Sequence, residues 1–166
     1  YMRHKMQDPQ SYLSSGRFTL CEGDLNEVQF TEKFDKILSI GVFCHVGNLT
    51  NAFQKLASLL KSDGKVFIHI ITARIPNNMS SGYTHKYIFP HGRYWNYDAI
   101  PSHNRDLKTI DRWYMNGINY HKTLTAWLER FDDAQDSIKS LDYGMDYAKF
   151  RRIWRFYLLM LGTIFA

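Results

Sequence analysis

The chain has 166 residues, 45% hydrophobic and 22% charged, enough for one domain with a real core and too apolar for wholesale disorder. Its formal net charge of +5 is mild and diffuse, compatible with an acidic phospholipid surface but not with a nucleic-acid footprint. Two cysteines, Cys21 and Cys44, exclude a disulfide scaffold and a CxxC zinc site, and a reducing cytoplasm is the default compartment.

In chain order, Tyr1, Met2, Lys5 and Met6 fit the last turns of a helix before Pro9. Arg17 to Glu22 alternates and ends at Gly23-Asp24, which predicts a short strand over Phe18–Leu20 and a turn. Phe34 to Phe43 is a nearly continuous apolar run that breaks at Gly41, the pattern of a strand buried on both faces, with its centre at Ile37–Ile40. Asn48 can cap a helix carrying Leu49, Phe53, Leu56 and Leu60, and Gly64 would supply a left-handed stop. Lys65 to Thr72 is a second buried strand, centred on Val66–Ile70. Strand, helix and strand joined by short turns form a βαβ unit, so the fold class is α/β with adjacent parallel strands.

Residues 73–106 are rich in Asn, Ser, Gly, Pro, His and Tyr and lack periodicity. A long irregular stretch directly after a buried strand stands where open α/β sheets bind ligands. Leu107 to Met115 fits a further strand. Two helical stripes follow: Leu124, Trp127, Leu128, Phe131 and Ile138, then Phe150, Ile153, Trp154, Tyr157, Leu158 and Leu161. Residues 119–165 are thus expected to form a helical cap. The apolar run from Tyr157 to Ala166 is too short to span a bilayer, which takes roughly 18 residues or more. The sequence opens on Tyr1 and stops inside a helical pattern, so an internal piece of a longer protein is expected, one domain divided into residues 1–72 and 73–166.

Four blocks in order carry a resemblance: Phe34-Asp35-Lys36-Ile37-Leu38-Ser39-Ile40-Gly41-Val42-Phe43-Cys44-His45-Val46-Gly47, then Leu60 to His69, then Lys86-Tyr87-Ile88-Phe89-Pro90-His91-Gly92, then Trp113 to Leu128. Together they resemble the cyclopropane-fatty-acyl-phospholipid synthases, which are class I methyltransferases using S-adenosylmethionine. Plant-type alkaloid N-methyltransferases share most of the blocks. The resemblance implies a partial Rossmann-like fold lacking the upstream glycine-rich loop and the last strand. It implies cytoplasmic methyl transfer to an unsaturated acyl chain of a phospholipid, at or near a membrane surface, or to a small amine; a non-catalytic remnant is the third reading.

By the same resemblance Gly23, Asp24 and Leu25 contact the adenine of the cofactor, although Gly-Asp is equally a common turn. Ile40 and Gly41 line the cofactor cleft. His69, the backbone of Ile71, and Tyr120 hold a bicarbonate ion that acts as base. His69 could equally be a satisfied core histidine, and Tyr120 an aromatic at a helix start. Cys44 is the departure, because the family has Glu there and a thiol offers neither its charge nor its two acceptor oxygens. Cys44 is otherwise a small buried hydrophobe. His45 matches the family's His and would orient the loop or act on an amine. Cys44, His69 and Tyr120 are expected to converge at the carboxyl ends of the strands. His85, His91, His103 and His121 show no metal-ligand spacing and are assigned to surface or loops.

Overall fold

The computed structural model describes residues 1–74 and 82–166. In chain order the elements are α1 (Met2–Gln7), β1 (Phe34–Ile40), α2 (Leu49–Leu59), β2 (Leu60–His69), β3 (Thr72–Ala73), α3 (Gly82–Tyr87), β4 (Trp95–Asn96), α4 (Ala99–His103), α5 (Ile118–Asp133), α6 (Gln135–Lys139) and α7 (Tyr147–Ile164). They divide into two compact units, one of Tyr1–Ile75 with Trp95–Lys108 and one of Pro76–Tyr94 with Thr109–Ala166. Residues 95–108, grouped by sequence with the second part, therefore pack in the first. Residues 75–81 of the irregular stretch lie outside the described residues; the remainder of it is not featureless but holds α3, β4 and α4.

In the first unit β1 and β2 pair in parallel, from Lys36 opposite Lys65 to Ile40 opposite His69, with an irregularity between Phe34 and Lys36. The connecting helix α2 starts where expected: the Asn48 side chain accepts from the Asn51 amide at 3.1 Å, satisfying an orphan donor of the first turn. Its apolar face buries Leu49, Ala52, Phe53 and Leu56, together with Phe43 and Trp95. Ile37, Val66, Ile68 and Ile70 pack on that cluster from the sheet. The strands are not buried on both faces. Side chains alternate across a strand, and only the face toward α2 is covered. Leu38, Ile40, Phe67 and His69 stand on the other face and are exposed.

Gly64 does not stop the helix. Its φ is not positive, and it lies inside β2. A Cβ there would meet Leu60 Cγ at 2.6 Å and the Asp35 carbonyl oxygen at 3.1 Å, so glycine is required by close approach. Phe18–Leu20 is not a strand, and Phe18 is half exposed. Leu107 to Met115 is not a strand either, and Ile110, Trp113 and Met115 are exposed. Alternation makes a strand only when a neighbour supplies the ladder, and no described strand pairs with either segment.

In the second unit α5 and α7 pack together around Leu124, Tyr157, Leu158 and Leu161. Asp146 caps α7 by accepting from the Lys149 amide at 3.0 Å. Two polar ties join the helices. Asp132 receives Arg155 at both oxygens, 2.7 Å each at the closest, and Arg151 at 2.9 Å. His121, assigned by sequence to the surface, is half-buried, and its Nδ1 donates to the Gly162 carbonyl at 2.7 Å. That carbonyl lies in the last turn of α7, where carbonyls lack helical donors.

The Arg155 hydrogen bonds hold the Asp132 carboxyl below its ordinary range; burial, the next largest effect, opposes them, and the charges of Arg155 and then Arg151 add to the lowering. A depressed folded pKa contributes stability that is complete above the unfolded value near 4 and is lost as pH falls through the folded value. Asp132→Asn is therefore expected to lower stability at pH 7 and to flatten its decline below about pH 4. Urea midpoints across pH for both proteins measure this, and parallel curves would show that the tie contributes nothing.

No helix among the described residues is long and apolar enough to cross a membrane.

Candidate active site

The carboxyl end of the β1–β2 pair gathers several of the residues singled out by sequence. At the end of β1 the chain turns at Gly41, whose φ of 68° is left-handed. Its amide donates to the His69 carbonyl at 2.9 Å, extending the ladder one step past the strand. A Cβ on Gly41 would meet no atom within 4 Å, so open space lies beside it. Only the left-handed backbone, not crowding, calls for glycine here.

The chain then makes a tight 3-10 turn over Phe43–His45. The His45 amide donates to the Val42 carbonyl at 2.9 Å, and the Val46 amide to Phe43 at 3.2 Å. Phe43 anchors the turn, with 1% of its surface exposed. Cys44 is half-buried, and its thiol donates to the Gly41 carbonyl at 3.1 Å. Burial pushes the Cys44 thiol up from its usual value, opposed by a backbone hydrogen bond. His45 is exposed. Ile40, Gly41, Cys44 and His69 thus occupy one strand end, with half-buried Ile71 two residues beyond. His69 is no core histidine: its side chain is exposed and on the face away from α2.

Gly23-Asp24-Leu25 forms a turn. The Asp24 carboxylate accepts from the Asn26 amide at 2.7 Å and from its side chain at 2.8 Å, and the Asp24 carbonyl accepts from Val28. Lys55 ties the turn to α2 by donating to the Val28 carbonyl at 2.7 Å. Gly23 and Asp24 are exposed and Leu25 is half-buried.

Tyr120 belongs to the second unit, in the first turn of α5. It is half-buried, edge-on to Phe165 at 4.9 Å and to Trp127 at 6.2 Å. Burial raises its phenol pKa, and a hydrogen bond with Tyr157 lowers it in part. Tyr157 is 4% exposed, and burial, then the neighbouring Tyr120 and Tyr94 phenols, push its own value up strongly. Tyr157 therefore keeps its proton. Sequence reasoning placed Tyr157 in an apolar stripe; its polar tip at a core position was the available signal. It also passed over Trp95, the one large buried ring in a polar stretch.

Among the described residues no group of three His, Cys, Asp or Glu side chains could hold a metal ion.

The sequence profile of the family described as mycolic acid cyclopropane synthetase matches residues 23–166. Over 137 residues the chain is 31% identical to the cyclopropane-fatty-acyl-phospholipid synthase of Escherichia coli (strain K12), covering 81% of this chain and 34% of that one. Over 129 residues it is 26% identical to the probable (S)-tetrahydroprotoberberine N-methyltransferase 2 of Papaver bracteatum, covering 71% and 35%. The chain thus spans about a third of the length of these curated relatives. Among solved structures, the cyclopropane synthase MmaA2 from Mycobacterium tuberculosis superposes with a TM-score of 0.70 at 21% identity, over 82% of this chain and 52% of that one. The mycolic acid cyclopropane synthase CmaA1, complexed with SAH and CTAB, gives 0.65 at 23% identity, over 80% and 52%. These likenesses establish the fold as the α/β fold of those synthases.

Proposed function

The chain belongs to the mycolic acid cyclopropane synthetase family, and on that premise we propose that the protein containing it transfers a methyl group from S-adenosylmethionine to an unsaturated acyl chain of a phospholipid. The observation that carries this reading is the strand-end cluster: His69, Cys44 and the left-handed Gly41 stand together where parallel α/β sheets bind their ligands.

The residues present fit one side of the donor. The open space beside Gly41 admits a ligand against the backbone, and Ile40 and Gly41 would line it. Gly23, Asp24 and Leu25 would meet its adenine, with Asp24 also serving its turn. When bound, S-adenosylmethionine supplies an electrophilic methyl group. The chain's part is to hold the acceptor in line with that methyl and to exclude water.

Methyl addition to an alkene leaves a carbocation, and ring closure then needs a base to take one proton. His69 and the Ile71 backbone would hold bicarbonate for this. Cys44 does not fit that ion as a carboxylate would. Its thiol is spent on the Gly41 carbonyl and stays protonated, so no step is routed through the ion.

Cys44 favours a second reading, N-methylation of a small amine, with the Papaver relative in support. An amine attacks the methyl directly and sheds its proton to a neighbour such as His45, with no carboxylate required. The full-length protein incubated with methyl-labelled S-adenosylmethionine separates the two. Label in the lipid fraction of unsaturated vesicles, with loss of alkene by mass spectrometry, is the expected result. Label only in a panel of amines would overturn it in favour of the second reading.

A further inference from the structure

Trp95 joins the two chain segments that make the strand-end cluster. Its backbone pairs in register with Thr72, the residue after Ile71. Its indole Nε1 donates to the Phe43 carbonyl at 3.1 Å, inside the core. Phe43 directly precedes Cys44. One residue therefore reaches from the chain that follows His69 and Ile71 to the turn that carries Cys44 and His45.

The indole is itself well held. It is 7% exposed and packs with Phe43, Leu49, Phe53 and Leu56. The His103 ring lies 6.3 Å from it, and His103 Nδ1 meets Thr50 Oγ1 at 3.3 Å at the start of α2. Packing alone would accept Phe or Leu at this position. The indole adds a buried donor to the carbonyl around which the turn closes, and such a donor is costly to lose.

We propose that Trp95 is a positioning residue that pins the Phe43–His45 turn to the end of β2, and so sets where the Cys44 and His45 side chains stand relative to His69. Its catalytic consequence rests on the function proposed above; its geometric content does not. The pinned turn keeps the Cys44 thiol half-buried and donating to Gly41. Freeing the turn exposes the thiol and makes it more reactive.

The test uses the full-length protein with Trp95→Phe, which keeps a ring and removes the donor. Alkylation by iodoacetamide is followed by mass spectrometry of the Cys44 peptide, with exposed Cys21 as internal reference. Cys44 is expected to react about tenfold faster in the variant, the order expected for one buried hydrogen bond, with Cys21 unchanged. Methyl transfer should lose about tenfold in kcat, with the acceptor KM within about twofold, because the turn positions rather than binds. Leu56→Ala removes packing from the same cluster without touching the Phe43 carbonyl. It is expected to lower the thermal midpoint and leave Cys44 reactivity near wild type.

An unchanged Cys44 rate in Trp95→Phe overturns the proposal, as does an equal rise in Leu56→Ala. If Trp95→Phe does not fold, the wild type decides. Its Trp95 indole hydrogen should exchange at least about 100-fold more slowly than that of exposed Trp113, and equal rates overturn the proposal. Absence of methyl transfer to any acceptor would sink the proposed function while leaving the alkylation result to decide on Trp95.

Discussion

Cys44→Glu is expected to raise methyl transfer to unsaturated lipid by about 10²–10³-fold in the full-length protein, the scale of one positioned polar partner at a reacting centre. A thiol donates weakly and carries no charge while protonated. A carboxylate accepts from two oxygens and strengthens every hydrogen bond it receives. Local geometry favours the change. The Cys44 thiol now donates to the Gly41 carbonyl, and an ionised Glu cannot donate. Repulsion between its oxygens and that carbonyl turns the longer side chain away from Gly41. The turn itself is held by backbone bonds and by Phe43, none of which involves the side chain at position 44. For an amine methyltransferase the same change gains nothing on lipid and crowds the acceptor. Methyl incorporation into vesicles and into amines, for both proteins, measures the difference. Lipid turnover that is already high with Cys44 and no higher with Glu would show that the base does not depend on this position.

Leu124→Ala is expected to destabilise the protein by about 2–5 kcal/mol. Leu124 has 0% of its surface exposed and sits on α5 against Tyr157, Leu158 and Leu161 of α7. Truncation forfeits the transfer free energy of the removed carbons and leaves a void that two helices tied at Asp132 and His121 cannot readily close. Urea unfolding with the slope unchanged is the measurement. A loss below about 1 kcal/mol would mean that the helices do not pack as described.

The parts of the fold legible in the sequence were those with local signals. Asn48 before a helical apolar pattern, and the apolar runs at Ile37–Ile40 and Val66–Ile70, each became an element. Phe18–Leu20 and Leu107 to Met115 had the strand pattern without a partner, and a ladder is a non-local property that no window of residues reports. The same limit hid which face of β1 and β2 would be covered. Gly64 showed another confusion: glycine after a helix usually marks a left-handed stop, whereas here it marks the approach of Leu60 and the Asp35 carbonyl. Within the site, the resemblance singled out Cys44 and His69, and pairing in register brought them to one strand end. Trp95 was illegible because its role rests on the polar atom of a ring that any hydrophobic pattern counts as core.

The two polar ties between α5 and α7 are fastened by different means. Asp132 is gripped through its charge, and protonating it removes what its arginines hold, so that fastening slackens. At His121 the Gly162 carbonyl can only accept, so Nδ1 carries the hydrogen of that bond and the tie rests on a ring N–H rather than on a carboxylate. The His121 latch lies three residues from Leu124, at the end of the pair that also holds Tyr120. Loss of the Asp132 charge should accordingly loosen the helices first at the Asp132 end.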